Sequence, residues 1–493
     1  MFKNFLYQNR KFRLLQVVLI FFSVLLILIQ FFSDRSLWLD EAALALNIIY
    51  KGPLELLDPL DFGQMAPPLF LLLLKSSHSI LPDSTFGFRL FPLLFYLASL
   101  YYFIRLSQVL LQNQPIQLLL LAFFVFNQNL IYFSSETKQY MGDVLVVLVF
   151  LYHLTRKDLA ESKRLLSLTL IGVVAIFFSN ITPIIFISVS AYILYDSWKK
   201  PWSQKLRFIS LIGLWGILSI FYYYHFIFQH PLEEYMKTYW VEKGGFPNIQ
   251  SGLGSIWQFF RVKSNMLFVD FIGLSRFLKY PLIVLYLIGS YRLYQKNKRY
   301  LILIYVPLLV HFLFSTLHLY PFELRLVLYL YPLLLVGVGL GLEQLIIHDK
   351  YLQLFQKNIQ YLILGFILVF LVKLYRNNFP FEISEVKKFR TEYFDPSGQE
   401  KLLIYGFARY PFRFYEEIDS DKLGENIQYL EDFTSLETYL HDISNKEKTF
   451  LLVFLDFESE EIEKFLALLD KNEIQLELTL QETGVIGFLF QNK

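Results

Sequence analysis

Four short segments of this chain hold the residue types that could do chemistry. In Trp38-Leu39-Asp40-Glu41-Ala42-Ala43, two adjacent carboxylates open a helical stretch that runs from Ala42 to Tyr50. A carboxylate so placed suits a general base, helped by a second acid or a metal. As plain structure, Asp40 would be an N-cap and Glu41 a first-turn acid favoured by the helix dipole. In Ser134-Ser135-Glu136-Thr137-Lys138-Gln139-Tyr140, Glu136 offers an acceptor, Lys138 a cation and Tyr140 a ring; as structure it would be a solvated turn with a local Glu–Lys pair. Asp143 follows inside an apolar run, where a carboxylate is expensive and is usually functional or paired. Pro321-Phe322-Glu323-Leu324-Arg325 opens another such run, and Arg89 opens a third. An arginine at such a boundary serves either as a phosphate clamp or as a snorkelling anchor.

The elements that must position these residues are membrane helices. Of 493 residues, 55% are hydrophobic and only 18% charged, with a mean hydropathy of +0.43. That is too few charges for a water-facing surface of this size, and 52 Phe with 33 Tyr is too apolar for disorder. The absence of Cys excludes disulfide scaffolds, thiolate metal sites and thiol nucleophiles, and a net charge of +2 gives no reason to expect nucleic acid. A bilayer core needs ~20 apolar residues in helix. Eleven runs qualify: 14–32, 89–110, 116–134, 141–155, 165–179, 182–197, 208–228, 279–295, 300–317, 325–346 and 359–375. A shorter run at 67–74, after Pro67-Pro68, suits an interfacial helix.

Lys and Arg concentrate in alternate short loops: Lys3, Arg10, Lys11 and Arg13; Arg156, Lys157, Lys163 and Arg164; Lys199, Lys200, Lys205 and Arg207; Arg292, Lys296, Lys298 and Arg299. The loop at 343–360 is weaker, with Lys350 and Lys357 against Glu343 and Asp349. This bias predicts a cytoplasmic N-terminus and places 33–88, 135–140, 180–181, 229–278, 318–324 and everything after 375 on the outer face. The long loop 229–278, with Trp240, Gly244-Gly245 and Trp257, suits a partly helical flap. Residues 376–493 hold 24 acids against 13 bases, and their pattern reads as a soluble α/β domain: strands at 402–407, 449–455, 474–480 and 485–490, helices at 410–417, 434–441 and 459–470, and a hairpin turn at Glu482-Thr483-Gly484. The expected architecture is therefore an all-α polytopic membrane unit over 1–375, with about 11 transmembrane helices, and a C-terminal α/β domain over 376–493.

In motif order, Leu-Trp-Leu-Asp-Glu-Ala, Pro-Pro-Leu-Phe and Phe88-Arg89-Leu90-Phe91-Pro92-Leu93-Leu94 resemble the GT-C membrane glycosyltransferases, in the branch of protein O-mannosyltransferases and lipid A aminoarabinose transferases (the family 39 and ArnT-like group). The 134–140 hinge, Glu323-Leu324-Arg325 with Tyr329-Leu330-Tyr331-Pro332, and Leu403-Ile404-Tyr405-Gly406 with Phe414-Tyr415 are similar to segments of the same group. The resemblance implies a GT-C fold with its site at the outer face of a plasma or bacterial inner membrane. It also implies a polyprenyl-phosphate-linked sugar donor and inverting transfer to a lipid, protein or polysaccharide hydroxyl. Carried over, Asp40 is the general base and Glu41 orients it or the acceptor. Lys138, Arg325 and Arg89 bind the donor phosphate, and Glu136, Tyr140 and Glu323 contact substrate. This group often has His or Lys before the Pro-Pro pair, where this chain has Ala66, which shifts the phosphate role to the other cations. Members differ in their use of a divalent cation, so the resemblance admits one without requiring it. No Gly-rich nucleotide loop precedes a helix, which agrees with a lipid-linked donor. The other readings are a transporter or flippase of a lipid-linked glycan, and a surface polysaccharide polymerase or ligase. A transporter calls for paired mid-membrane charges and a repeated half, and the chain shows few of the former and no repeat.

Overall fold

A computed structural model describes residues 5–7, 9–82, 84–156, 160–270, 276–348, 358–393, 401–418, 427–443, 449–455, 459–472 and 474–491. Each of the eleven apolar runs forms helix, because a backbone in lipid must satisfy its hydrogen bonds internally. By length and composition, five described helices are sufficient to cross a membrane: Arg10–Phe32, Thr85–Leu110, Trp202–Phe228, Lys298–Thr316 and Leu328–Ile346. Gln114–Val125, Tyr140–Thr155 and Thr182–Ser197 are shorter apolar helices. Lys3, Lys157, Asp349, Lys350 and Lys357 lie outside the described residues.

By backbone contacts the chain divides into two compact units. One comprises residues 1–31, 66–71 and 90–378, the other 32–65, 72–89 and 379–493. The first is helical and departs from expectation in three places. The run 116–134 is two helices, Gln114–Val125 and Gln128–Phe133, because the Asn127 side chain accepts from the Leu130 amide at 2.9 Å and caps the second. The run from 325 is helical only from Leu328, leaving Arg325 in the turn before it. Arg292 and Glu343 are not loop charges but a buried pair, 2.6 Å apart; Glu343 also accepts from the Gln112 and Asn113 amides at 2.6 Å each.

Small residues let helices in this unit approach closely. A Cβ at Gly341 would stand 2.0 Å from the Leu285 carbonyl oxygen, so helices Lys279–Lys296 and Tyr331–His348 meet backbone to backbone there. Gly341→Ala is expected to force them apart at a cost of about 1–3 kcal/mol, read as a lower Tm in detergent. An unchanged Tm would show that the two helices part freely.

The second unit carries the sheet, in strand order β2-β1-β3-β5-β4, with β1 Lys401–Tyr405, β2 Ile427–Leu430, β3 Thr449–Leu455, β4 Gln475–Glu482 and β5 Val485–Gln491. β1 pairs parallel with β2 and β3, while β5 runs antiparallel between β3 and β4. Leu403, Leu452, Phe465 and Phe490 are among the buried residues of its core. The hairpin turn falls at Thr483-Gly484 as its sequence predicts, with Gly484 at φ +67°. The sequence pattern did not reveal β2 or the helix Val386–Tyr393. β2 has only four residues, mostly half-buried, and the helix is strongly polar.

The loop after helix Arg10–Phe32 belongs to the same unit. Its helix Leu39–Tyr50 packs on helix Arg409–Ile418, where Tyr50 Oη donates to Glu417 at 2.8 Å. Phe88 meets Phe414 edge-on at 5.6 Å, and Phe62 meets Tyr410 at 5.3 Å.

Candidate functional site

Asp40 stands in the first turn of helix Leu39–Tyr50 and is half-buried. The N-cap is Trp38, not Asp40, so the capping explanation of this carboxylate does not hold. Its neighbour Glu41 is completely buried, and Arg35 grips both of its oxygens, Nη1 at 2.6 Å and Nη2 at 3.0 Å. Glu41 also accepts from the Trp38 amide at 3.4 Å, tying the helix start back on itself.

The segment leading to Asp40 is held from every side within this unit. Arg89, fully buried, donates through Nη2 to the carbonyls of Arg35 at 2.8 Å and Ser36 at 3.2 Å. The Ser36 amide donates to Glu382 at 2.7 Å, the Leu37 amide to Tyr415 Oη at 2.9 Å, and the Lys387 amide to Ser36 Oγ at 3.0 Å. Asp34 pairs with Lys387 and accepts from Thr85 Oγ1 at 2.8 Å. Burial raises the pKa of the Glu382 carboxyl above the usual carboxylate value, against the Ser36 hydrogen bond that lowers it. Burial also raises that of the Tyr415 hydroxyl.

In the helical unit, the expectation of a solvated turn at 134–140 is overturned: all seven residues, Glu136, Lys138 and Tyr140 included, are at most 5% exposed. Burying a carboxylate and an ammonium in one short connector is costly, so a turn of mere convenience would not carry them. Asp143, just beyond, accepts from Ser179 Oγ through Oδ1 at 2.5 Å, while its Oδ2 is buried with no hydrogen-bond partner. Tyr329 shares a 2.8 Å hydrogen bond with His311 Nδ1, and His311 Nε2 lies 3.1 Å from the Pro321 carbonyl. A carbonyl only accepts, so Nε2 carries a proton, and Nδ1 shares the ring's other hydrogen bond with the Tyr329 hydroxyl.

The same unit holds Glu323 and Arg325 on the loop after helix Lys298–Thr316. Glu323 pairs with Lys263 at 2.9 Å, and the Arg325 guanidinium lies over the Trp240 ring at 5.7 Å. The Phe322 amide donates to the Gly245 carbonyl at 2.7 Å, and His318 Nε2 lies 3.0 Å from the Pro247 carbonyl. Loop 229–278 is indeed partly helical, with Glu233–Glu242 and Leu253–Asn265, and is stitched to Glu323 and its neighbours by these bonds. Among the described residues, no group of three or more His, Asp or Glu could hold a metal ion.

Arg35, Lys263, Ser179, His311 and Tyr415 escaped the motifs. Arg35 had a signal, a base six residues before Glu41 in an acid-rich loop; the others contact partners far away in sequence, which spacing does not disclose.

No protein-family model and no curated protein matches the sequence. Among solved structures, ArnT from Cupriavidus metallidurans in the apo state aligns with a TM-score of 0.52 at 10% identity, over 96% of this chain and 98% of that one. The same protein bound to undecaprenyl phosphate aligns with a TM-score of 0.49 at 10% identity, over 95% and 97%. The apolar helices and this likeness make the chain a membrane protein with an ArnT-like fold of the GT-C type.

Proposed function

We propose that this protein is an integral-membrane glycosyltransferase. It moves a sugar from a polyprenyl-phosphate donor to an acceptor hydroxyl at the outer face of the plasma or bacterial inner membrane. One observation carries the reading: Asp40 is half-exposed on a helix start that Arg35, Glu41 and Arg89 hold rigid, as a general base must be held. Asp40 takes the proton of the acceptor hydroxyl as that oxygen attacks the anomeric carbon. The bond from this carbon to the phosphate oxygen breaks, and its electron pair leaves with the polyprenyl phosphate. Lys138 and Arg325 stabilise the charge that develops there, as preorganised cations do. Arg89 and Glu41 act as positioning residues, since Arg89 Nη2 holds loop carbonyls and both Glu41 oxygens bind Arg35. Glu136, Tyr140 and Glu323 shape the substrate subsites.

Membranes containing the protein, given a polyprenyl-phosphate sugar labelled in the sugar, are expected to yield labelled acceptor and free polyprenyl phosphate. Label that crosses the bilayer still joined to its lipid would instead identify a transporter. Lys138→Met is expected to lower kcat/KM about a hundredfold with the protein folded, the loss typical of one preorganised donor to a developing oxyanion. An unchanged kcat/KM would remove Lys138 from the donor site.

A further inference from the structure

The basic loops do more than mark topology: they build a cavity. About 1260 Å³ in volume, it lies among the end of helix Tyr140–Thr155, helix Thr182–Ser197 and the junction of helices Lys279–Lys296 and Lys298–Thr316. Among the described residues, Arg156, Arg164, Lys199, Lys296, Lys298 and Arg299 line it against one carboxylate, Asp196, which Arg299 pairs. Arg164 donates through Nη2 to the Arg156 carbonyl at 3.2 Å, and its Nε is buried without a hydrogen-bond partner.

A topology signal needs positive charge in a loop and nothing more. Gathering six cations around one concavity adds mutual repulsion, which an anion placed among them reverses. The rest of the lining indicates which anion. Trp198 is 77% exposed, Tyr195 48% and Leu194 46%, the mixture of aromatic and aliphatic side chains that sits at headgroup depth. The volume also exceeds what one inorganic phosphate would occupy.

We infer that this cavity binds the headgroup of an anionic glycerophospholipid of the cytoplasmic leaflet, its phosphodiester among Arg164, Lys296 and Lys298 and its acyl chains along Leu194 and Trp198. The site is separate from the proposed transfer chemistry and does not depend on it; basic pockets between helices are a recurring form of lipid recognition.

Native mass spectrometry of the full-length protein in detergent tests this, with phosphatidylglycerol and phosphatidylcholine as probes. The wild type is expected to retain phosphatidylglycerol preferentially. Combining Arg164→Gln, Lys296→Gln and Lys298→Gln is expected to weaken that binding about a hundredfold, from about 1 kcal/mol of attraction per charge removed. A control combining Lys11→Gln, Lys163→Gln and Arg207→Gln removes equal charge from basic segments outside the cavity lining and is expected to keep the preference. Equal retention of the two lipids, an equal loss in the control, or displacement of the lipid by millimolar inorganic phosphate would overturn the inference. Should the triple variant not fold, Lys298→Glu alone, at an exposed position, is expected to cost at least tenfold, and unchanged binding would overturn the inference equally.

Discussion

Asp40→Asn is expected to abolish most sugar transfer, with kcat falling by about 10²–10⁴, the range a positioned general base contributes. The amide keeps the size of the carboxylate and its place in the first helical turn but cannot accept the acceptor's proton. Expression and Tm are expected to stay near wild type, because the half-exposed Asp40 is not the cap of its helix. Losing Asp40 also removes a favourable charge near the helix N-terminus, which is worth only about 0.3–1 kcal/mol. A variant that folds and transfers at the wild-type rate would dismiss Asp40 as the base.

The second large effect is on stability. Arg35→Ala removes the guanidinium that binds both oxygens of the buried Glu41, and breaking a buried pair from one side costs about 3–5 kcal/mol. Arg35→Met combined with Glu41→Leu removes both charges and fills similar volume, so much of that loss is expected to return. Activity is not expected to return with it, since the pair also fixes the turn that carries Asp40. Thermal unfolding in detergent, read beside transfer assays, separates these outcomes. If the double variant is no more stable than Arg35→Ala, the loss does not come from an uncompensated Glu41 charge.

Much of the helical frame is legible in the sequence because lipid imposes a simple rule: long apolar runs become helices. The rule does not say where a run breaks, and the Asn127 cap that divides 116–134 is a local competition between side chain and backbone that hydropathy ignores. In the soluble domain, patterning found β1, β3, β4 and β5, whose periodicity and turns are strong, and missed the four-residue edge strand β2. For the candidate site, residue types single out Asp40, Glu41, Glu136 and Lys138 as proposals. Their environments were not readable. The hinge 134–140 looks solvated from its composition and is buried. Arg89 looks like a membrane-boundary cation, yet its Nη2 is bonded to two loop carbonyls. Burial and partnership depend on contacts between residues distant in sequence, such as Lys263 with Glu323, and single-sequence spacing carries no record of them.

The most direct measurement of the central claim is product analysis of a single-turnover reaction with purified protein and a polyprenyl-phosphate sugar of known anomeric configuration. One polyprenyl phosphate is expected per glycosylated acceptor, with inversion at the anomeric carbon, and neither product is expected from Asp40→Asn. Lipid phosphate released at the same rate by the Asp40→Asn variant, or a product that retains the donor's configuration, would contradict that claim.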